Sequence, residues 1–173
     1  MIRFASLTAV AAAALISACA STAPAGPKAT AALEPTRGNT AAGTVTFQQQ
    51  GDQVLVTAKV SGLRPNQEHG FHAHEKGDCS SGDGVSAGGH FNPTARPHGK
   101  PDAEHHAGDM PALKSDANGN AQASFTLSGV SVGSGSTDLV GRGLIVHAAP
   151  DDYTTQPTGN SGARIACGVI KLS

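Results

Sequence analysis

Apolar and polar residues alternate along several short stretches of this chain, and no stretch of its folded part repeats apolar residues at a convincing helical spacing. In residues 44–47, Val45 and Phe47 share one face. In residues 54–60, Val54, Val56, Ala58 and Val60 do the same, with Gly51-Asp52 between the two runs. A period of two sends successive side chains to opposite sides of a strand, so these runs predict a hairpin with one buried face per strand. Residues 121–127 repeat the alternation through Ala123 and Phe125, after the turn-forming sequence Asp116-Ala117-Asn118-Gly119-Asn120. Residues 143–148 and 165–172 are short apolar runs bounded by turn residues, the pattern of strands covered on both sides. Two long stretches, 75–111 and 149–164, carry no period. Loops of that length in a compact domain are normally functional when ordered.

Composition sharpens this picture. Charged residues make up 14% of 173 residues, against about 25% in an average domain, while Gly (22) and Pro (10) favour turns. With no Trp, one Tyr and five Phe, the core must be aliphatic, which suits one all-β domain built as a thin sandwich or small barrel. The net charge of -1 offers no basic field for nucleic acid. At the N-terminus, Arg3 precedes an apolar stretch (4–16) too short to span a bilayer, as in a signal peptide. Ile16-Ser17-Ala18-Cys19 resembles the lipobox of bacterial lipoproteins, which implies cleavage before Cys19 and lipid attachment to it; Ala20 rather than Asp points to the outer over the inner membrane. The expected organisation is a signal peptide (1–18), a lipidated cysteine with a small, Pro-rich tether (19–27) and a folded domain (28–173), held in the periplasm by the anchor at Cys19 alone. Cys79 and Cys167 then remain as an even pair in an oxidising compartment, where a disulfide is the default.

Seven side chains have spacings that suit metal ligation. His72 and His74 are two apart in an extended segment and so project from one face. His147 ends the apolar run Leu144-Ile145-Val146, and His90, His98 and His106 are spread through the first long loop, with Asp109 three residues after His106. Two four-coordinate metals need eight donor contacts, so seven side chains require one imidazole to bind a metal through each ring nitrogen. Nitrogen and carboxylate donors suit Cu(II) and Zn.

Gly70-Phe71-His72-Ala73-His74-Glu75, Gly89-His90-Phe91-Asn92-Pro93, His106-Ala107-Gly108-Asp109, Val146-His147-Ala148-Ala149-Pro150-Asp151-Asp152 and the run from Gly159 through Arg164 and Cys167 to Ile170 resemble, in order, the copper,zinc superoxide dismutases. The resemblance implies an eight-stranded Greek-key β-barrel, an immunoglobulin-like sandwich, with two long functional loops. It implies one copper per subunit on His72, His74, His90 and His147, and one zinc on His90, His98, His106 and Asp109, with His90 as the bridge. Asp151 would hydrogen-bond His72 and His98, Arg164 would stand beside the open face of copper, and Cys79–Cys167 would tie the zinc loop to the last strand. The implied reaction is disproportionation of superoxide anion to dioxygen and hydrogen peroxide, with His90 delivering a proton and Arg164 attracting the anion. His106 rather than His105 fits the His-x-Gly-Asp motif, and His69 matches a packed non-ligand. The second loop lacks the charged guiding cluster of eukaryotic members, so no further steering residue carries over; Lys76 and Lys100 could substitute for it but read rather as solvated surface charges. A homodimer is compatible with the resemblance, although no contact surface carries over. A competing reading is a periplasmic copper or zinc binding or delivery protein, which would need no anion guide; Arg164 separates the two.

Overall fold

The computed structural model describes residues 26–173; the expected signal peptide and Cys19 lie outside the described residues. Ten strand segments follow in order: β1 (Lys28–Pro35), β2 (Ala42–Gln50), β3 (Gln53–Ser61), β4 (Glu68–His69), β5 (Phe71–His74), β6 (Leu113–Lys114), β7 (Ala121–Ser128), β8 (Gly143–His147), β9 (Arg164–Val169) and β10 (Lys171–Leu172), with one short 3-10 turn at Val85–Ala87. β4 and β5 are one extended run interrupted at Gly70, and β9 and β10 are another interrupted at Ile170, so eight antiparallel strands make the barrel. The main sheet runs β5-β8-β9-β1-β2-β3-β7, with β10 beside β1. At the far side β4 pairs with β6, which lies against β7 and draws the two ends of the curled sheet together.

The alternating runs form the half of the barrel they predict. Val45 and Phe47 in β2, and Val54, Val56, Ala58 and Val60 in β3, all point into the core, and the two strands pair in register from Ala42↔Ser61 to Gln50↔Gln53. Each fully buried Val or Phe contributes about 1.5–3 kcal/mol relative to exposure. β1 carries the same alternation through Ala29, Ala31 and Leu33, but its buried positions are mostly alanine, too small to stand out in the hydrophobic pattern. Gly26 and Pro27, the end of the expected tether, are held against β2: Gln48 Nε2 donates to the Gly26 carbonyl at 2.6 Å and Gln49 N–H to the Pro27 carbonyl at 2.9 Å.

The last apolar run departs from a single buried strand. Ile170 is buried, but its N–H and C=O bond to Arg142 and Gly141 of a neighbouring turn, which breaks the ladder; Lys171 and Leu172 then pair with β1 and are exposed.

β8 is buried at all five residues because both of its faces are covered. Leu144 and Val146 enter the main core with Phe71 and Ala73 of β5. Ile145, on the opposite face, joins Ala87 and Cys167 in a second small cluster, against which Cys79 packs. His72 and His74 alternate with Phe71 and Ala73, so they project from this outer face, beneath the two long loops. The disulfide Cys79–Cys167 staples the first loop to β9 there, closing 88 residues of sequence.

Replacing Cys79 and Cys167 together by Ser is expected to cost about 4–5 kcal/mol through loop-closure entropy. Urea denaturation of the metal-free protein measures this, and an unchanged midpoint would contradict it.

Candidate metal centre

The first loop is sewn to β5 by its main chain. Ala73 N–H donates to the Gly108 carbonyl at 2.9 Å, Phe91 N–H to the Ala73 carbonyl at 2.9 Å and Gly108 N–H to the Phe91 carbonyl at 2.8 Å. Bridges His74↔His90 and His72↔Asp109 lay these residues beside the strand. Position 108 must be glycine for this approach, since a Cβ there would stand 2.2 Å from the Ala73 carbonyl oxygen. His147 arrives from β8 at a slip in the ladder: Val146 pairs with Ala166, but His147 pairs with Arg164, leaving Ile165 as the extra residue. Such a bulge re-aims side chains, and it sets Arg164 opposite His147.

All seven expected ligands are buried and fall into two groups, His72, His74, His90, His147 and His90, His98, His106, Asp109; within each, the donor atoms lie within 4.8 Å of one another. His90 is common to both. Its Nδ1 lies 2.8 Å from Asp109 Oδ1 and 3.4 Å from His106 Nδ1, while its Nε2 has no hydrogen-bond partner. Four of the other five imidazoles of the two groups show the same asymmetry. His72 Nε2–H donates to Asp151 Oδ2 at 2.6 Å, His74 Nδ1–H to the Gly88 carbonyl at 2.9 Å, His147 Nδ1–H to the Gly162 carbonyl at 3.2 Å and His98 Nε2–H to Asp151 Oδ1 at 2.9 Å. The other nitrogen of each, His72 Nδ1, His74 Nε2, His147 Nε2 and His98 Nδ1, has no hydrogen-bond partner. A buried polar atom without a partner costs about 1–3 kcal/mol. Five such nitrogens converging in one place fit metal ions, and the nitrogen and carboxylate donors fit copper and zinc.

Burial also settles protonation. It holds His72 and His74 well below the usual imidazole range and brings His147 down to about 4, with neighbouring imidazoles adding to the effect. His106 is lowered by burial as well. Burial pushes the Asp109 carboxyl up, but the His90 hydrogen bond and the electrostatic pull of the surrounding imidazole rings together outweigh it, so the group ends below its ordinary range. Neutral imidazoles and an ionised carboxylate are the forms that ligate metals.

Asp151 places one carboxylate oxygen on an imidazole of each group. Arg164 is tied down by two carbonyls, Nη1–H to Gly84 and Nη2–H to Gly88, each at 2.7 Å. Gly88 thus accepts from both Arg164 and His74, which fixes the guanidinium beside the first group. His69 belongs to neither group; it is buried with Nδ1–H on the His147 carbonyl at 2.8 Å. His105 also lies outside both, and Lys76 and Lys100 are exposed. The Gly88 and Gly162 carbonyls escape a reading of side-chain types because main-chain acceptors carry no residue signature.

The chain is similar to known proteins over most of its length. The family profile described as copper/zinc superoxide dismutase (SODC) matches residues 41–170. The Cu-Zn superoxide dismutase of Saccharomyces cerevisiae is 44% identical over 140 residues, covering 76% of this chain and 90% of the yeast one. Superoxide dismutase [Cu-Zn] 1 of Aquifex aeolicus is 42% identical over 128 residues, 71% of this chain and 76% of its own. Among solved structures, the clock protein EA4 superimposes with a TM-score of 0.77 at 38% identity, covering 84% of this chain and 94% of that one.

The depressed imidazoles give the metal-free protein a pH-dependent stability. Below about pH 6.5 unfolded histidines take up protons that buried His72, His74 and His147 refuse, so the unfolded state binds more protons and stability drops as the pH is lowered, until the folded groups titrate, near 4 for His147. At pH 5 the loss from His147 alone is on the order of 1–2 kcal/mol. Equal urea midpoints at pH 7.5 and 5 would refute this.

Proposed function

The chain belongs to the copper/zinc superoxide dismutase family, and on that premise we propose how its residues divide the work and where it is done. Its activity is the conversion of two superoxide anions and two protons to dioxygen and hydrogen peroxide, with copper and zinc as cofactors. In our reading His72, His74, His90 and His147 hold copper, and His90, His98, His106 and Asp109 hold zinc. When bound, copper supplies one-electron exchange with superoxide and zinc supplies fixed positive charge that takes no part in redox chemistry.

The observation that carries this reading is His90, shared by both groups, with Nδ1 against Asp109 and Nε2 left without a partner. Nε2 is the atom at which a proton can be held and passed to reduced oxygen while Nδ1 stays engaged with the second group. Asp151 keeps the His72 and His98 rings in the tautomers that present Nδ1 to the two groups. Arg164 receives the substrate: its guanidinium, anchored on Gly84 and Gly88, supplies a fixed positive charge beside the first group. A storage or delivery protein has no need of a guanidinium so placed.

We further propose that the protein acts in the periplasm, tethered to the outer membrane through a lipid on Cys19. The leader sequence supports this, as does the Cys79–Cys167 disulfide, which suits an oxidising compartment. The homodimer in this reading rests on the family resemblance alone.

Purified protein is expected to hold one copper and one zinc and to remove superoxide in pulse radiolysis, and Arg164→Glu should slow the rate roughly 10-fold or more at low salt and weaken or invert its salt dependence. A fully metallated but inactive sample would defeat the copper-site assignment, and an unchanged rate and salt response would remove the steering role. For location, Cys19→Ser should move the protein from the membrane fraction to the soluble one. Equal partitioning of the variant and the parent rules out the anchor.

A further inference from the structure

His98 lies in an irregular stretch between Pro97 and Gly99, yet it is buried, so its main-chain polar groups need partners that no strand provides. One side chain from the other loop supplies both. His98 N–H donates to Gln156 Oε1 at 2.9 Å, and Gln156 Nε2–H donates back to the His98 carbonyl at 2.9 Å. His98 Nε2–H goes to Asp151 at 2.9 Å, and Nδ1, without a hydrogen-bond partner, lies 3.0 Å from Asp109 Oδ2. Three of the four polar atoms of His98 are therefore gripped by residues 151–156 of the second loop, and the fourth is left for the metal group.

The gripping segment is itself braced. Asp152 accepts from the Thr154 and Thr155 N–H groups and from the Thr155 hydroxyl, and Gly159 N–H closes on the Thr155 carbonyl at 2.7 Å. Gly159 has φ +68°, and a Cβ there would fall 1.9 Å from Asp151 Oδ1 and 2.5 Å from His98 Nε2, so the backbone lies directly over the His98–Asp151 hydrogen bond. An amide that both donates to and accepts from one residue fixes that residue's orientation as well as its distance, which a single bond does not.

We infer that Gln156 is a positioning residue for His98: by clasping its main chain it sets the place of Nδ1 in the second donor group and thereby how tightly that group holds zinc. This rests on the assignment of zinc to His90, His98, His106 and Asp109. Partners that orient a ligand are worth about 10- to 100-fold in metal affinity.

The test uses the full chain stripped of metal. Zinc affinity is measured by competition with a chelator, and the geometry of the second group is read from the visible absorption of bound Co(II). Gln156→Met, of similar length but without the amide, should weaken zinc about 10-fold and shift the cobalt bands, a loss of affinity larger than the fall in metal-free stability that the two lost hydrogen bonds bring. Gln156→Glu, which keeps the acceptor and loses the donor, should fall between. Wild-type zinc affinity and cobalt spectrum in Gln156→Met overturn the inference, as does an affinity loss matched by an equal loss of metal-free stability. If Gln156→Met fails to fold, Gln156→Glu decides alone, and wild-type affinity in it overturns the inference. A wild-type chain that takes no cobalt into the second group overturns the zinc assignment and the inference together.

Discussion

Five imidazole nitrogens buried without a hydrogen-bond partner, converging around His90, are the constraint on which the rest of this molecule turns. No arrangement of neutral imidazoles satisfies them, because each such nitrogen needs a donor and its neighbours here are acceptors too. Cations resolve the conflict. The two long loops are the structural answer to the same problem: they exclude water from the donors, and burial keeps His72, His74 and His147 unprotonated and ready to bind.

Main-chain carbonyls and one carboxylate share the work of holding the donors in place. Gly88 and Gly162 carbonyls orient His74 and His147, the Asp151 carboxylate orients His72 and His98, and a bulge in β9 brings Arg164 opposite His147. The two loops are also joined to each other, through Gln156 and Asp151 on His98, and the first is fixed to the barrel through Cys79–Cys167. The site is therefore a layer of its own, resting on the outer face of β5, β8 and β9 rather than inside the barrel.

Much of this was legible in the sequence, and for physical reasons. Alternation in β2, β3 and β7 is strong because one face meets the core and the other meets solvent, and the continuous apolar run of β8 reflects cover on both sides. The seven donors could be read because ligation demands particular side chains at geometric spacings. β1 was hidden because alanines line its buried face, and the break at Ile170 depends on a hydrogen bond to a turn distant in sequence. The grip of Gln156 was equally hidden, since a lone glutamine in a loop has no spacing to betray its partner.

None of the seven donors lies on β1, β2, β3 or β7, and along the sheet β2 and β3 are separated from β8 by β1 and β9. The hairpin half of the barrel is thus answerable to packing alone, whereas the loop-covered half is answerable to chemistry as well. The two halves consequently tolerate change on different terms: a substitution in the hairpin that keeps volume and alternation meets only the demands of packing.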